Sequence, residues 1–101
     1  MKILKIISEI QFSIYQAMVR IGHADDITVQ DIGEMLRAIP GVLTIGQVSH
    51  DSNNNTAVMK VKILTTKTAS EAFASFKNTS IKRIPQVKRI EVAEKTIEKK
   101  K

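Results

Sequence analysis

Two phrases, RAIPGVLTI at residues 37–45 and KRIPQVKRI at 82–90, hold both prolines of the chain, each inside the pattern Ile-Pro-x-Val-x-x-Ile. Proline has no N–H to donate and disfavours helical geometry in the residue before it. A helix that reaches such a phrase must stop there. The Val-x-x-Ile that follows suits the start of a strand. A chain that writes the phrase twice therefore builds the same helix-to-strand corner twice, and this restricts its fold more than any other feature.

Each phrase is preceded by a helix start. T-V-Q-D places Asp31 three residues after Thr28, and T-A-S-E places Glu71 three residues after Thr68. Both read as capping boxes or close variants: the threonine oxygen accepts an early helix N–H and the carboxylate reaches back to the cap. An acid in the first turn also suits the positive end of the helix dipole. In the first helix Val29, Ile32, Met35, Leu36 and Ile39 form an apolar stripe at three- and four-residue steps. In the second the stripe is Ala69, Ala72, Phe73 and Phe76, continued by Ser80 or Ile84. Ile39 and Ile84 are the expected last anchors of the two helices.

Strands fill the remainder. Residues 42–50 and 56–65 flank the turn-forming loop DSNNN. In the second of these, Met59, Val61 and Ile63 alternate with Val58, Lys60 and Lys62, which predicts a half-buried strand. Upstream, Tyr15, Ala17, Val19 and Ile21 alternate with Gln16, Met18 and Arg20. The order strand, helix, strand, strand, helix, strand predicts an α+β fold, the ferredoxin-like βαββαβ sandwich. Four antiparallel strands would carry two helices on one face. Residues 12–93 form the expected domain, 1–11 a short N-terminal helix or strand, and 94–101 a frayed basic tail. Ile3, Ile7, Ile10, Ile14, Ala17 and Ile21 also fit a helical stripe, so one helix over 2–21 is the alternative.

The net charge of +6 is not spread evenly. Residues 1–76 carry seven basic and seven acidic side chains, and residues 77–101 carry nine and three, so the whole excess sits in the last quarter. The end EKTIEKKK reads either as a solubilising tail or as a phosphate-binding arm. Without cysteine the chain has no disulfide, thiolate metal site or thiol nucleophile, which fits a reducing cytoplasm. Lys5 and Glu9 break the N-terminal apolar patch, and no apolar run reaches membrane-spanning length, so no membrane partner is expected.

The layout resembles small ferredoxin-like modules, among them ACT-type regulatory domains, heavy-metal-associated domains and RNA-recognition motifs. The runs IYQAMVRIG, TTKTASEAFASFKN and IPQVKRIEV, with IEK near the end, are similar more closely to small open reading frames of marine tailed phages. That resemblance implies a context and no mechanism. An RNA-recognition motif would need aromatics on the central strands. The exposed positions there read Gln16, Met18, Arg20, Val58, Lys60 and Lys62, cations without an aromatic platform. The metal-carrying relatives would need C-x-x-C, which this chain lacks. ACT-type modules bind small ligands at glycine-bearing loops, and Gly22 stands at about that position, followed by HADD rather than their usual pattern.

In the expected topology the first and second strands run parallel. Their ends would bring His23, Asp25 and Asp26 towards His50 and Asp51, a candidate set for a divalent metal. The alternative is exposed histidines and ordinary loop acids. No glycine-rich phosphate loop and no nucleophile–base pair stands out, and Ser49, His50 and Asp51 are strand neighbours that point to opposite faces, so no enzyme and no cofactor are expected. Two functions of different class follow. One is a self-associating structural or assembly module, most simply a homodimer, joined through the low-charge edge at 42–50 or the open sheet face. The other is a nucleic-acid accessory protein that touches phosphates through Arg20, Lys60, Lys62, Arg89 and the tail. An ACT-like small-ligand module is a third.

Overall fold

The computed structural model describes residues 11–99, and for 93–99 the backbone alone. Its elements are β1 (Ser13–His23), α1 (Val29–Arg37), β2 (Val42–Asp51), β3 (Thr56–Thr65), α2 (Ala69–Arg83) and β4 (Val87–Lys99). Alternation decides the N-terminal ambiguity: Tyr15, Ala17, Val19, Ile21 and His23 are buried in turn along β1. A single helix over 2–21 is therefore ruled out. The expected extension at 1–11 lies, but for its last residue, outside the described residues.

Both prolines sit in the same turn. The Val42 N–H donates to the Ile39 carbonyl at 3.1 Å, and the Val87 N–H donates to the Ile84 carbonyl at 2.9 Å. Ile-Pro-x-Val is thus a four-residue turn with proline at its second position, where the fixed φ of proline fits. The third position differs. Gly41 has φ +92°, as a type II turn requires, whereas Gln86 has no positive φ. The first helix regularly ends at Arg37, with Ile39 buried two residues later. The second runs to Arg83, with Ile84 as its C-cap.

The helix starts also match in place and differ in detail. Thr28 Oγ1 accepts the Asp31 N–H at 3.0 Å, and Thr68 Oγ1 accepts the Glu71 N–H at 3.3 Å. In α2 the Glu71 carboxylate returns a bond to the Thr68 N–H at 3.2 Å, completing the box. Aspartate, one methylene shorter, leaves α1 with half of the exchange. The expected stripe of α1 needs one correction. Met35 is exposed, and Gly33 is buried in its place, with Ile45 against the position a Cβ would take.

The strands form one sheet in the order β2-β3-β1-β4, every neighbour antiparallel. β1 and β3 are central, and β2 and β4 are the edges. A single apolar cluster joins alternate residues of the strands to both helices, with Ile21, Ile32, Leu36, Met59, Ile84 and Ile90 among its most buried members. Ser80 is buried within it and gives its hydroxyl hydrogen to the Phe76 carbonyl at 2.7 Å. The boundary expected after Ala93 is not where β4 ends. The strand continues to Lys99 and pairs with β1 as far as Ser13, with a register shift around Ala93. Residues 94–99 are thus strand rather than frayed tail. Of these residues only Ile97 is apolar, so no alternation marks them as strand in the sequence.

Candidate functional site

The four cations named from the sequence do share one surface. Cross-strand pairing sets Gly22 beside Thr56 and Arg89, Arg20 beside Val58 and Glu91, Met18 beside Lys60, and Gln16 beside Lys62. Paired residues face the same way. The β3 partners of Tyr15, Ala17, Val19 and Ile21, namely Ile63, Val61, Met59 and Ala57, are buried, so these rows form the opposite, outer face. Arg89, Arg20, Lys60 and Lys62 accordingly occupy four successive rows, about 6.8 Å apart. The Arg89 guanidinium lies over Gly22, its nitrogens 3.7 and 3.8 Å from where a Cβ would stand. Gly22 is therefore a strand residue under an arginine. A shallow groove at this end is lined by Arg20, Arg89, Ser49, Asn54, Thr56, Asp51 and Val58.

Asp51 is committed to the hairpin it ends. Its carboxylate accepts from the Asn54 side-chain amide at 2.7 Å and from the Asn53 N–H at 3.0 Å. The Asn54 amide, more than any other group, holds its carboxyl below the ordinary range, with help from the backbone N–H groups and the His50 ring. Asp25 is likewise engaged, accepting from the Asn55 side-chain amide. The expected set of five metal ligands does not assemble: among the described residues no group of three or more His, Asp or Glu side chains comes together around one point. Asp25, Asp26 and Asp51 leave the set. The two histidines do meet, with Nε2 atoms 3.3 Å apart.

The edge strand β2 is open to solvent. Eight of its ten residues are exposed, and only Ile45 is buried. Leu43 is 43% and Val48 50% exposed, and each falls at a register shift against β3. Neither was singled out by the alternation pattern. Their signal is that apolar residues at 42, 43, 45 and 48 break a period of two, which is what inserted residues do. Arg37, the last residue of α1, donates to the Ile45 carbonyl at 3.3 Å. On the helix side a groove of about 320 Å³ separates α2 from the first corner, between Phe76, Arg83, Ile39 and Leu64. Among the described residues no helix is long and apolar enough to cross a membrane. No protein-family model, curated protein or solved structure matches the chain.

Proposed function

We propose that this chain is a non-enzymatic, self-associating structural module with the ferredoxin-like arrangement, and that two copies join through β2. The strand order, with the first strand central between the third and fourth, supports that arrangement. The observation that carries the association is the state of β2, a ten-residue edge with no lysine, arginine or proline, and with Leu43 and Val48 in solvent. Such edges attract another strand unless charge, proline, bulges or cover prevents it, and between its two register shifts β2 keeps an unbroken run over Thr44–Gln47. A second copy is the occupant that fits. Two β2 strands pair antiparallel across a two-fold axis, and each supplies the same surface, with four apolar residues and a single charge at its end. The module then acts as an assembly component, in keeping with its resemblance to phage reading frames.

Light scattering at micromolar concentration tests this. The wild-type mass should be twice the chain's 11.3 kDa. Val48→Lys and Leu43→Lys should return the monomer with unchanged circular dichroism, because both side chains are exposed. A monomeric wild type sinks the proposal.

A second reading rests on the outer face, where cations stand in four successive rows. A single-stranded phosphate backbone laid along β1 and β3 would meet one cation per row, without reading sequence. Fluorescence anisotropy with a labelled strand should show binding that falls steeply with salt and weakens in Arg20→Ala/Arg89→Ala. No binding at low salt removes this reading and leaves the first intact.

A further inference from the structure

The chain has two histidines, 27 residues apart in sequence and on strands that do not pair, and they meet. His23 ends β1 and His50 lies near the end of β2. β3 runs between them, and its small, fully buried Ala57 stands opposite His50. The rings lie over this end of the sheet with centroids 5.4 Å apart and planes 29° from parallel. The His23 Nδ1 is 2.8 Å from the Ala24 carbonyl. A carbonyl only accepts, so Nδ1 is the donor of this bond, and Nε2 is the ring nitrogen that faces His50. His23 is buried, and its backbone N–H is tied to the Asn55 carbonyl at 2.9 Å, so this nitrogen is held in place. His50 is exposed and free to present its own Nε2 lone pair to the same point.

We propose that His23 and His50 form a two-nitrogen site for a divalent transition metal, with zinc as the representative ion. Two zinc–nitrogen bonds of about 2.0–2.1 Å at the tetrahedral angle place their nitrogens roughly 3.3–3.4 Å apart. The observed 3.3 Å matches that edge. A ligating histidine ordinarily gives its other ring N–H to a carbonyl or carboxylate, which fixes its tautomer and orientation. The Ala24 carbonyl already does this for His23. Imidazole pairs suit zinc, copper and nickel. Water or an added anion would complete the coordination from the side of the exposed His50. The metal bridges β1 to β2 across β3, so it stabilises the folded chain by mass action. This inference does not depend on self-association.

With only two imidazoles, NMR of their ring protons reads the site without ambiguity. Adding zinc chloride to the full chain should move both sets of ring signals together and saturably, and raise the melting temperature. Copper(II) should outcompete zinc, following the usual affinity order. His50→Ala should abolish both responses; His50→Gln carries the same test if the alanine variant folds poorly. Unchanged ring signals at millimolar zinc overturn the site and leave a simple imidazole–imidazole hydrogen bond. A response limited to one ring, or one that survives in the His50 variants, overturns it in favour of the loop carboxylates.

Discussion

The chain presents its two halves for comparison, each a helix, an Ile-Pro-x-Val turn and an edge strand. α1 has nine residues and half a capping box, and α2 has fifteen and a complete one. The first turn needs Gly41 with a positive φ, and the second closes the same hydrogen bond through Gln86 without one. The first edge, VLTIGQVSHD, carries one charge, while the second, VKRIEVAEKTIEK, carries seven. Interspersed charges of both signs blunt an edge against further pairing. One corner pattern thus leads to two different surfaces. The corner is a local device set by a proline and an isoleucine, while the character of an edge is written residue by residue along the strand. β4 reads as an edge that stops the sheet, and β2 as one left open to continue it.

Ways to test this contrast run from large to small. The corner isoleucines should matter equally in both halves: Ile39→Ala and Ile84→Ala each remove a buried side chain from the core and should cost about 2–5 kcal/mol in urea melts. Pro40→Ala and Pro85→Ala should cost less than either, because they change a turn and leave the core filled. A proline effect exceeding both isoleucine effects would break the account of the corner.

The two turns should differ next. Gly41→Ala forces a side chain into positive φ and sets its Cβ 3.3 Å from the Leu64 carbonyl, so a loss of about 1–2 kcal/mol is expected. Gln86→Ala should be nearly silent. Equal losses would mean that both turns adopt one geometry.

The caps follow. Thr68→Ala should cost about 1 kcal/mol, and Thr28→Ala somewhat less, since its box is half made. The smallest effect is tied to pH. The Thr68 backbone N–H, and then its hydroxyl, hold the Glu71 carboxyl below the ordinary glutamate range. A carboxyl lowered in the folded state contributes stability above its unfolded value, and loses that contribution as pH falls through its folded one. Glu71→Gln should therefore be slightly less stable than wild type at neutral pH and equal to it in strong acid. A gap of constant size from neutral to acid would show that the charge of Glu71 plays no part.

Much of this architecture was legible because it is local. The helix starts at Thr28 and Thr68, the stops at the two prolines and the alternation along 56–65 are each fixed by a few neighbouring residues. The shared face of Arg20, Lys60, Lys62 and Arg89 follows from strand order and a period of two. Met35 was misplaced because a stripe at three- and four-residue steps can drift by one position. The contact of α1 with β2, where Ile45 sits against Gly33, decided which position turned inward. Residues 94–99 carry four charges and one apolar side chain, the composition of a tail, and the partner that makes them a strand lies some eighty residues earlier in β1.

By itself the sequence determined the element order, the corners, the caps and the alternation of the central strands, since each depends on backbone sterics and hydrogen bonds within a few residues. Only the tertiary structure decided how far β4 runs, where the β2 register slips to expose Leu43 and Val48, and that, of the groups strand order brings to this end of the sheet, His23 and His50 touch while Asp25 and Asp51 bond to asparagines. Those outcomes depend on distances between segments far apart in the chain. Such distances are set by how the sheet pairs and packs, which no local pattern encodes.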